Sequence, residues 1–308
     1  MLHVEIKALG TALPKNFVTF AGGRRYRIAD GETHLGLLCE SARRALAQSG
    51  MTIADIDVII GACAAGVQPI PCTAALVHEA LTCGSNIPAF DVNSTCTGFI
   101  TALDVAGHYI QAGKYRNVLI VSGDTPSVVL NEAERHSFEL FGDGAVSAVV
   151  TASETGGIYY HRQMTASAGA HLTEIQGGGT RLPAVQYQPD NRQRYLFHMH
   201  GKDALLMTMQ LVRDMIAAIE TESGMTLADV DLIVPHQASA ALSLIMRKLG
   251  VPEGKYVDMT RTHGNMVSAS IPFALDDAIR AGRMQRGDTV LLLGTAAGLT
   301  VNAMLLRY

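Results

Sequence analysis

The stretch Ser49-Gly-Met-Thr-Ile-Ala-Asp-Ile-Asp-Val-Ile-Ile60 occurs twice in this chain. It returns as Ser223-Gly-Met-Thr-Leu-Ala-Asp-Val-Asp-Leu-Ile-Val234, 174 residues later (223 − 49), and every change keeps the apolar character of its position. A second pair repeats in the same order, since Ala102-Leu-Asp104 and Ala274-Leu-Asp276 are 172 residues apart (274 − 102). Two nearly equal offsets in the same order indicate a duplicated structural unit.

Each copy alternates short apolar runs with amphipathic helical patterns. Asp57–Gly61 and Asn117–Gly123 are mainly apolar runs, typical of strands that are buried on both faces. Thr33–Ser49 places its apolar residues at helical spacing and stops before a glycine. This alternation predicts an α/β fold with parallel strands joined by right-handed crossovers. We therefore expect two duplicated βαβ-type halves, residues 1–155 and residues 156–308.

Three segments lack such a pattern. Gly10–Gly23 is predicted to be a loop, and the basic run Arg24-Arg-Tyr-Arg27 that follows is predicted to be a solvated surface turn. Gly156–Arg194 contains the run Gly177-Gly-Gly179 and is predicted to be irregular. Because that glycine run lacks the lysine and the following helix of a phosphate-binding loop, a plain flexible loop is favoured.

Composition limits the classes of function. A chain of 308 residues with 48% hydrophobic and 17% charged residues is predicted to be a well-buried globular protein. Its net charge of −4 argues against a nucleic-acid partner. No apolar run approaches the ~20 residues of a membrane span, and the charged start is unlike a signal peptide. The five cysteines are irregularly spaced, which favours reduced thiols in the cytoplasm and provides no metal-binding pattern.

The first half contains a cysteine in a chemically favourable position. Asp91-Val-Asn-Ser-Thr-Cys96-Thr-Gly-Phe-Ile100 follows a short apolar run and leads into a helical pattern, Phe99–Gly113. This places Cys96 on a strand-to-helix turn, where the helix dipole and free N–H groups stabilise an anion. We expect a lowered pKa for the Cys96 thiol and a nucleophilic role. The alternative is an inert, buried cysteine that fills a tight turn.

The repeat assigns two residues of the second half to the same place. Sites in α/β units form at the carboxyl ends of the strands. His236 follows the second copy of the repeated strand, and Asn265 lies in the turn that corresponds to the Cys96 turn. Pseudo-twofold symmetry therefore predicts that Cys96, His236 and Asn265 face one pocket.

These three residues resemble the Cys–His–Asn triad of the β-ketoacyl-ACP synthase III family. The matching motifs are Ser-Thr-Cys96-Thr-Gly-Phe, Val-Pro-His236-Gln-Ala and His-Gly-Asn265-Met-Val-Ser. Phe141-Gly-Asp-Gly-Ala145 and Gly294-Thr-Ala-Ala-Gly-Leu-Thr300 also resemble family motifs, in matching order. The resemblance implies a thiolase-like fold, in which the two halves form a five-layered α-β-α-β-α arrangement.

The resemblance also implies a reaction. Cys96 is expected to attack an acyl thioester and hold the acyl group, with the N–H groups of Cys96 and Ala297 forming the oxyanion hole. His236 and Asn265 are expected to donate hydrogen bonds to a malonyl thioester and to stabilise the enolate left by loss of carbon dioxide. This decarboxylative Claisen condensation gives a β-ketoacyl product in fatty-acid or specialised, polyketide-type metabolism, and it needs no metal or redox cofactor.

The partners implied by the resemblance are acyl carrier protein and coenzyme A thioesters. Arg247 and Lys248 match a basic pair near the carrier-docking surface of the family. Two features depart from the family: the chain has no tryptophan before its basic run, and Ala241 stands where members have an arginine at the tunnel mouth. These departures favour a specialised member. A homodimer is expected, with no nucleic-acid partner and no membrane insertion.

Other functions fit parts of the sequence. A related acyltransferase passes the acyl group from Cys96 to an alcohol or amine without forming a carbon–carbon bond, and it has no need of two enolate donors. A catalytically silent partner subunit has no chemical need for the three residues together. A nucleotide-binding oxidoreductase is expected to carry Gly-x-Gly-x-x-Gly after its first strand, and this chain does not.

Overall fold

The structure, a computed structural model, describes every residue from Met1 to Tyr308. Its strands are β1 (Val4–Ala12), β2 (Asn16–Phe20), β3 (Gly23–Arg27), β4 (Val58–Gly61), β5 (Ala89–Asp91), β6 (Asn117–Asp124), β7 (Gly144–Ala152), β8 (Gly157–Thr165), β9 (Thr173–Glu174), β10 (His198–Met199), β11 (Leu232–Pro235), β12 (Thr289–Ala296) and β13 (Thr300–Arg307). Its helices are α1 (His34–Ser49), α2 (Thr73–Thr82), α3 (Gly98–Gln111), α4 (Arg135–Phe138), α5 (Gly201–Ser223), α6 (Leu242–Lys248) and α7 (Ser270–Arg280). None of these helices combines the length and the apolar character that crossing a membrane requires.

Two mixed sheets form the frame. The first has the order β1-β7-β6-β4-β5 and the second has the order β8-β13-β12-β11. In these orders β8, β13, β12 and β11 correspond to β1, β7, β6 and β4. The second sheet has no strand that corresponds to β5, but a parallel bridge between Ile233 and Tyr256 stands in its place. This agreement extends the sequence repeat to the whole topology.

The prediction of purely parallel sheets is wrong at one side of each sheet. Strands β4, β5 and β6 are parallel, as are β11 and β12, whereas β1, β7, β8 and β13 pair antiparallel with their neighbours. The reason is clearest for β12 and β13. Only residues 297–299 join them, and a connection of that length cannot make the crossover that parallel strands require.

Most apolar side chains of the two sheets divide between three large cores, with the period of two that strands impose. Val58 and Ile60 of β4 share one core with Val290 and Leu292 of β12, and the helices α3 and α7 lie within that core. Ile59 points the other way, towards α1 and α2, and the opposite face of β12 points towards α5 and α6. The expected α-β-α-β-α arrangement is confirmed, with α3 and α7 as the middle layer.

Two predicted loops are in fact partly strands. Gly10–Gly23 contains the end of β1 and all of β2, which forms a hairpin with β3. The basic run lies in β3, and its Arg25 is only 1% exposed, so the predicted solvated turn is wrong there. Gly156–Arg194 contains β8, whose edge position and half-exposed side chains explain the absence of an apolar pattern.

Candidate active site

Cys96 lies on the predicted strand-to-helix turn. A single 3-10 turn, Thr95–Thr97, links the chain after β5 to the start of α3 at Gly98. Thr95 has a φ of 50°, which is uncommon for a β-branched residue. Asn93 offsets part of the strain, because its Oδ1 atom accepts the Thr95 N–H at 2.8 Å. The sharp turn leaves the Cys96 sulfur at the N-terminal end of the α3 helix.

The turn is pressed against β12 of the other half. A Cβ atom added at Gly294 would lie 2.4 Å from the Cγ2 atom of Thr97, so only glycine permits this approach. The hydroxyl of Thr95 also donates a hydrogen bond of 3.3 Å to the carbonyl of Ala297, just after β12. Cys96 is thereby fixed between the two halves of the chain.

The expected lowering of the Cys96 pKa is wrong. Desolvation of the sulfur and the negative charge of Asp124 together raise the pKa of the Cys96 thiol to about 12. The backbone N–H groups of Ala297 and of Cys96 itself face the sulfur and lower its pKa, but they do not outweigh burial. The resting residue is therefore a thiol at neutral pH, with two N–H donors beside it.

His236 follows β11 directly, as its place in the repeat predicts. Its backbone N–H donates a hydrogen bond of 2.9 Å to the carbonyl of Leu293 in β12. The side chain is 4% exposed, and its Nδ1 atom is buried without any hydrogen-bond partner. Burial lowers the pKa of His236 to about 4, so the imidazole is neutral at pH 7. The imidazole makes no hydrogen bond within the chain.

Asn265 lies on the turn that precedes α7. Its backbone N–H donates to the carbonyl of Leu140 at 3.0 Å, and its carbonyl accepts from Gly142 at 3.0 Å. Its side-chain Oδ1 atom accepts the N–H of Val267 at 2.8 Å. Because Oδ1 is engaged in this way, the Nδ2 group is left as the free donor of the Asn265 amide.

The structure brings together the elements that carry these three residues. The Thr95–Thr97 turn packs against the Val267–Ala269 turn and against β12, and the backbone of His236 is bonded to β12. The duplication contributes to this convergence, since the Val267–Ala269 turn is the counterpart of the Thr95–Thr97 turn and β11 is the counterpart of β4. No group of three His, Cys, Asp or Glu side chains is arranged to hold a metal ion.

The residues predicted for the carrier-docking surface and the tunnel mouth lie on or beside a separate helix, α6. Arg247 and Lys248 occupy the C-terminal end of α6 and are exposed, and Ala241 precedes the start of α6. Asp124, which is not among the predicted site residues, lies at the end of β6 close enough to influence the Cys96 pKa. The sequence signal that could have identified Asp124 is its position as an ionisable residue at the end of an apolar strand.

Comparisons with known proteins agree with this geometry. The family described as 3-Oxoacyl-[acyl-carrier-protein (ACP)] synthase III matches residues 90–167. The family described as 3-Oxoacyl-[acyl-carrier-protein (ACP)] synthase III C terminal matches residues 221–308. The chain is 33% identical over 327 aligned residues to the Beta-ketoacyl-[acyl-carrier-protein] synthase III of Coxiella burnetii, with 100% of both chains covered. It is 32% identical to the protein of that name from Neisseria meningitidis, again over 100% of both chains.

A solved structure gives the same result for the fold. The 3-oxoacyl-[acyl-carrier-protein] synthase III of Aquifex aeolicus VF5 superimposes with a TM-score of 0.88 at 28% identity, covering 99% of this chain and 100% of that one. The fold is thus thiolase-like and the chain is an acyltransferase enzyme. Full-length identity above 30%, two matching family regions and the shared fold together show that this chain belongs to the 3-oxoacyl-[acyl-carrier-protein] synthase III family.

Proposed function

We propose that Cys96 takes an acyl group from a thioester and that the enzyme condenses it with a malonyl thioester, with loss of carbon dioxide. One observation carries this proposal. The imidazole of His236 and the Nδ2 group of Asn265 make no hydrogen bond within the chain, and both residues belong to elements that converge on the Cys96 turn. Simple acyl transfer gives such a pair nothing to do, whereas an enolate oxygen needs hydrogen-bond donors.

In the first step the Cys96 sulfur forms a bond to the thioester carbonyl carbon, and the carrier sulfur leaves. The proton of the Cys96 thiol departs with the carrier thiol, so the step is neutral overall. The N–H groups of Cys96 and Ala297 are the proposed oxyanion hole, because both face the sulfur. A thiol whose pKa is about 12 is protected from unproductive reactions until an acyl thioester is bound.

In the second step the malonyl carboxylate leaves as carbon dioxide and an enolate forms. The enolate carbon attacks the acyl carbonyl, the bond from that carbonyl to Cys96 breaks, and the Cys96 thiolate takes up a proton from solvent. The low pKa of His236 suits this step. An imidazolium of that acidity would protonate the enolate and stop the condensation, whereas a neutral imidazole stabilises it by hydrogen bonding alone.

We propose acyl carrier protein and coenzyme A as the carriers, since the names of the relatives specify the acyl carrier protein. Arg247 and Lys248 are proposed to contact the acidic carrier, because both are exposed at the end of one helix. The two steps balance without a metal or a redox cofactor. The departures at Ala241 and the missing tryptophan support a specialised acyl donor, and a homodimer in the cytoplasm stays a prediction.

The test separates the two steps. Incubation with a panel of acyl-CoA and acyl-ACP donors, followed by intact mass measurement, is expected to show an adduct on Cys96 that the Cys96→Ala variant lacks. Malonyl-ACP or malonyl-CoA is then expected to discharge the adduct and give a β-ketoacyl thioester. An adduct that is discharged by an alcohol or an amine, and never by a malonyl thioester, would replace condensation with plain acyl transfer. No adduct from any donor would overturn the proposed function.

A further inference from the structure

The C-terminal half contains a second copy of the nucleophile turn, without the nucleophile. Val267 has a φ of 52°, close to the 50° of Thr95, and the two residues are 172 positions apart (267 − 95). Ser268 therefore occupies the position of Cys96 in this second turn. A β-branched residue with positive φ is energetically unfavourable. The strained turn is nevertheless present in the half that has no cysteine there, so another interaction must stabilise it.

That interaction is with Asp124, at the end of β6. Its Oδ2 atom accepts the Ser268 hydroxyl at 2.6 Å and the Ser268 N–H at 3.1 Å. Its Oδ1 atom accepts the N–H of Ala65 at 2.9 Å. Asp124 is 3% exposed, and this burial raises the pKa of its carboxyl, whereas the charge of His34 and the hydrogen bonds from Ser268 and Ala65 favour the ionised form and oppose that rise. A buried carboxylate is thus bonded to the backbone N–H that corresponds to the Cys96 N–H of the first turn.

We propose that Asp124 is a positioning residue for Asn265. In the second turn, its carboxylate occupies the place that corresponds to the substrate oxyanion in the first turn. By binding Ser268, Asp124 holds the strained turn at Val267. The N–H of Val267 in turn fixes the Asn265 amide, so that its Nδ2 group faces the malonyl thioester. This inference rests on the proposed function, because it assigns Asp124 to the second of its two steps.

The arrangement has opposite effects on the two steps. The Asp124 charge raises the pKa of Cys96, which disfavours formation of the thiolate during acylation. The same carboxylate supports the turn that carries Asn265, which favours condensation. Loss of the charge is therefore expected to help the first step and to harm the second. A residue that only maintained the fold would affect both steps in the same direction.

The decisive variant is Asp124→Asn, which keeps the size of the side chain but removes its charge and turns an NH2 group towards N–H donors. We expect Cys96 acylation at least as fast as in the unaltered enzyme, and condensation slower by about 30-fold, from the loss of a charged, buried hydrogen bond. The pH profile of Cys96 alkylation is expected to shift to lower pH. Ser268→Ala keeps the charge, so its alkylation profile is expected to stay in place while condensation slows by about 5-fold.

A matched control is Ser41→Ala, which removes a buried hydroxyl bonded to Ser147 at 2.7 Å, away from the site. Both steps are expected to be unchanged in it. Equal slowing of acylation and condensation in Asp124→Asn, or unchanged condensation, would overturn the assignment. If Asp124→Asn does not fold, the ratio of the acylation rate to the condensation rate is measured in Ser268→Ala instead, and that ratio tests the assignment.

One readout is independent of activity. Hydrogen–deuterium exchange of residues 265–270 is expected to speed up in Asp124→Asn and in Ser268→Ala, whereas exchange of residues 93–98 stays as in the unaltered enzyme. Unchanged exchange of residues 265–270 would refute the positioning role even if the enzyme were fully active. Failure of the unaltered enzyme to acylate or condense would instead refute the proposed function. The exchange result would then still test whether Asp124 holds the turn at Val267.

Discussion

The Oδ1 atom of Asn265 accepts a hydrogen bond of 2.8 Å from the backbone N–H of Val267. This bond fixes the orientation of the amide, so the Nδ2 group is the one that can reach a substrate. Asn265→Asp keeps the acceptor for Val267 and replaces the donor with a second oxygen. We expect condensation to slow by about 100-fold, since one donor to the developing oxyanion is lost.

Acylation of Cys96 is the internal control for this variant, because the proposed first step does not use Asn265. Burst formation of the acyl adduct, followed by intact mass, is expected to match that of the unaltered enzyme. A variant that condenses at the normal rate would show that Asn265 does not contact the enolate.

The pKa of Cys96 predicts how the free enzyme reacts with alkylating reagents. Because the thiolate is the reactive form and the pKa of Cys96 is about 12, the alkylation rate is expected to rise about tenfold for each pH unit between pH 7 and 10. Iodoacetamide labelling followed by peptide mass spectrometry measures this rate for Cys96 separately from that of the exposed Cys83. A plateau below pH 9 would show that the helix N-terminus outweighs burial after all.

The contrast between predicted and observed chemistry at Cys96 has a physical cause. Local sequence placed Cys96 on its turn, and the repeat placed His236 and Asn265 at equivalent strand ends, because these depend on the order of elements along the chain. The sign of the Cys96 pKa shift depends on desolvation and on Asp124, and those depend on packing between distant segments. The bond between Asp124 and Ser268 joins residues 144 positions apart, so no window of sequence contains it.

Arg25 shows the same limit for the fold. Its guanidinium donates to the carbonyls of Glu139 at 2.8 Å and Arg24 at 2.6 Å, and it has no carboxylate partner. It lies beneath Gly264, where an added Cβ atom would be 2.4 Å from its Nε atom. The side chain thus ties the β2–β3 hairpin to the loop before Asn265. A run of basic residues predicted exposure, but the three-dimensional contacts bury one of its members.

Replacing Arg25 is expected to be costly. Arg25→Met leaves buried carbonyls without donors, and we expect the free energy of unfolding to fall by about 3 kcal/mol. Urea unfolding followed by circular dichroism measures this loss. Arg24→Met is the matched control, because Arg24 is exposed, and a change below about 0.5 kcal/mol is expected there. Equal losses of unfolding free energy in the two variants would show that the burial of Arg25 does not add to its contribution to stability.

His198 predicts a pH dependence in the segment that precedes α5. Its Nε2 atom donates to the carbonyl of Gln193 at 2.6 Å, and its Nδ1 atom is bonded to the carboxylate of Glu134. Both partners are acceptors, so the arrangement favours protons on both ring nitrogens, which is the cationic form. Burial alone would lower the pKa of His198, but the bonds to Gln193 and Glu134, together with the charge of Glu174, outweigh it and raise the pKa.

Since the pKa of His198 is higher in the folded protein, its stabilising contribution is fully present below the ordinary histidine value of about 6.5 and is lost as the pH rises through the folded value. Hydrogen–deuterium exchange of residues 189–200, corrected for the intrinsic pH dependence of exchange, measures the local opening of this segment. We expect the opening to increase about 5-fold once the pH exceeds the pKa of His198 in the folded protein, which is equivalent to about 1 kcal/mol. His198→Gln is expected to remove the pH dependence. His171→Gln, which alters a more exposed histidine bonded to Glu174, is expected to leave it in place. Persistence of the pH dependence in His198→Gln would assign it to another group.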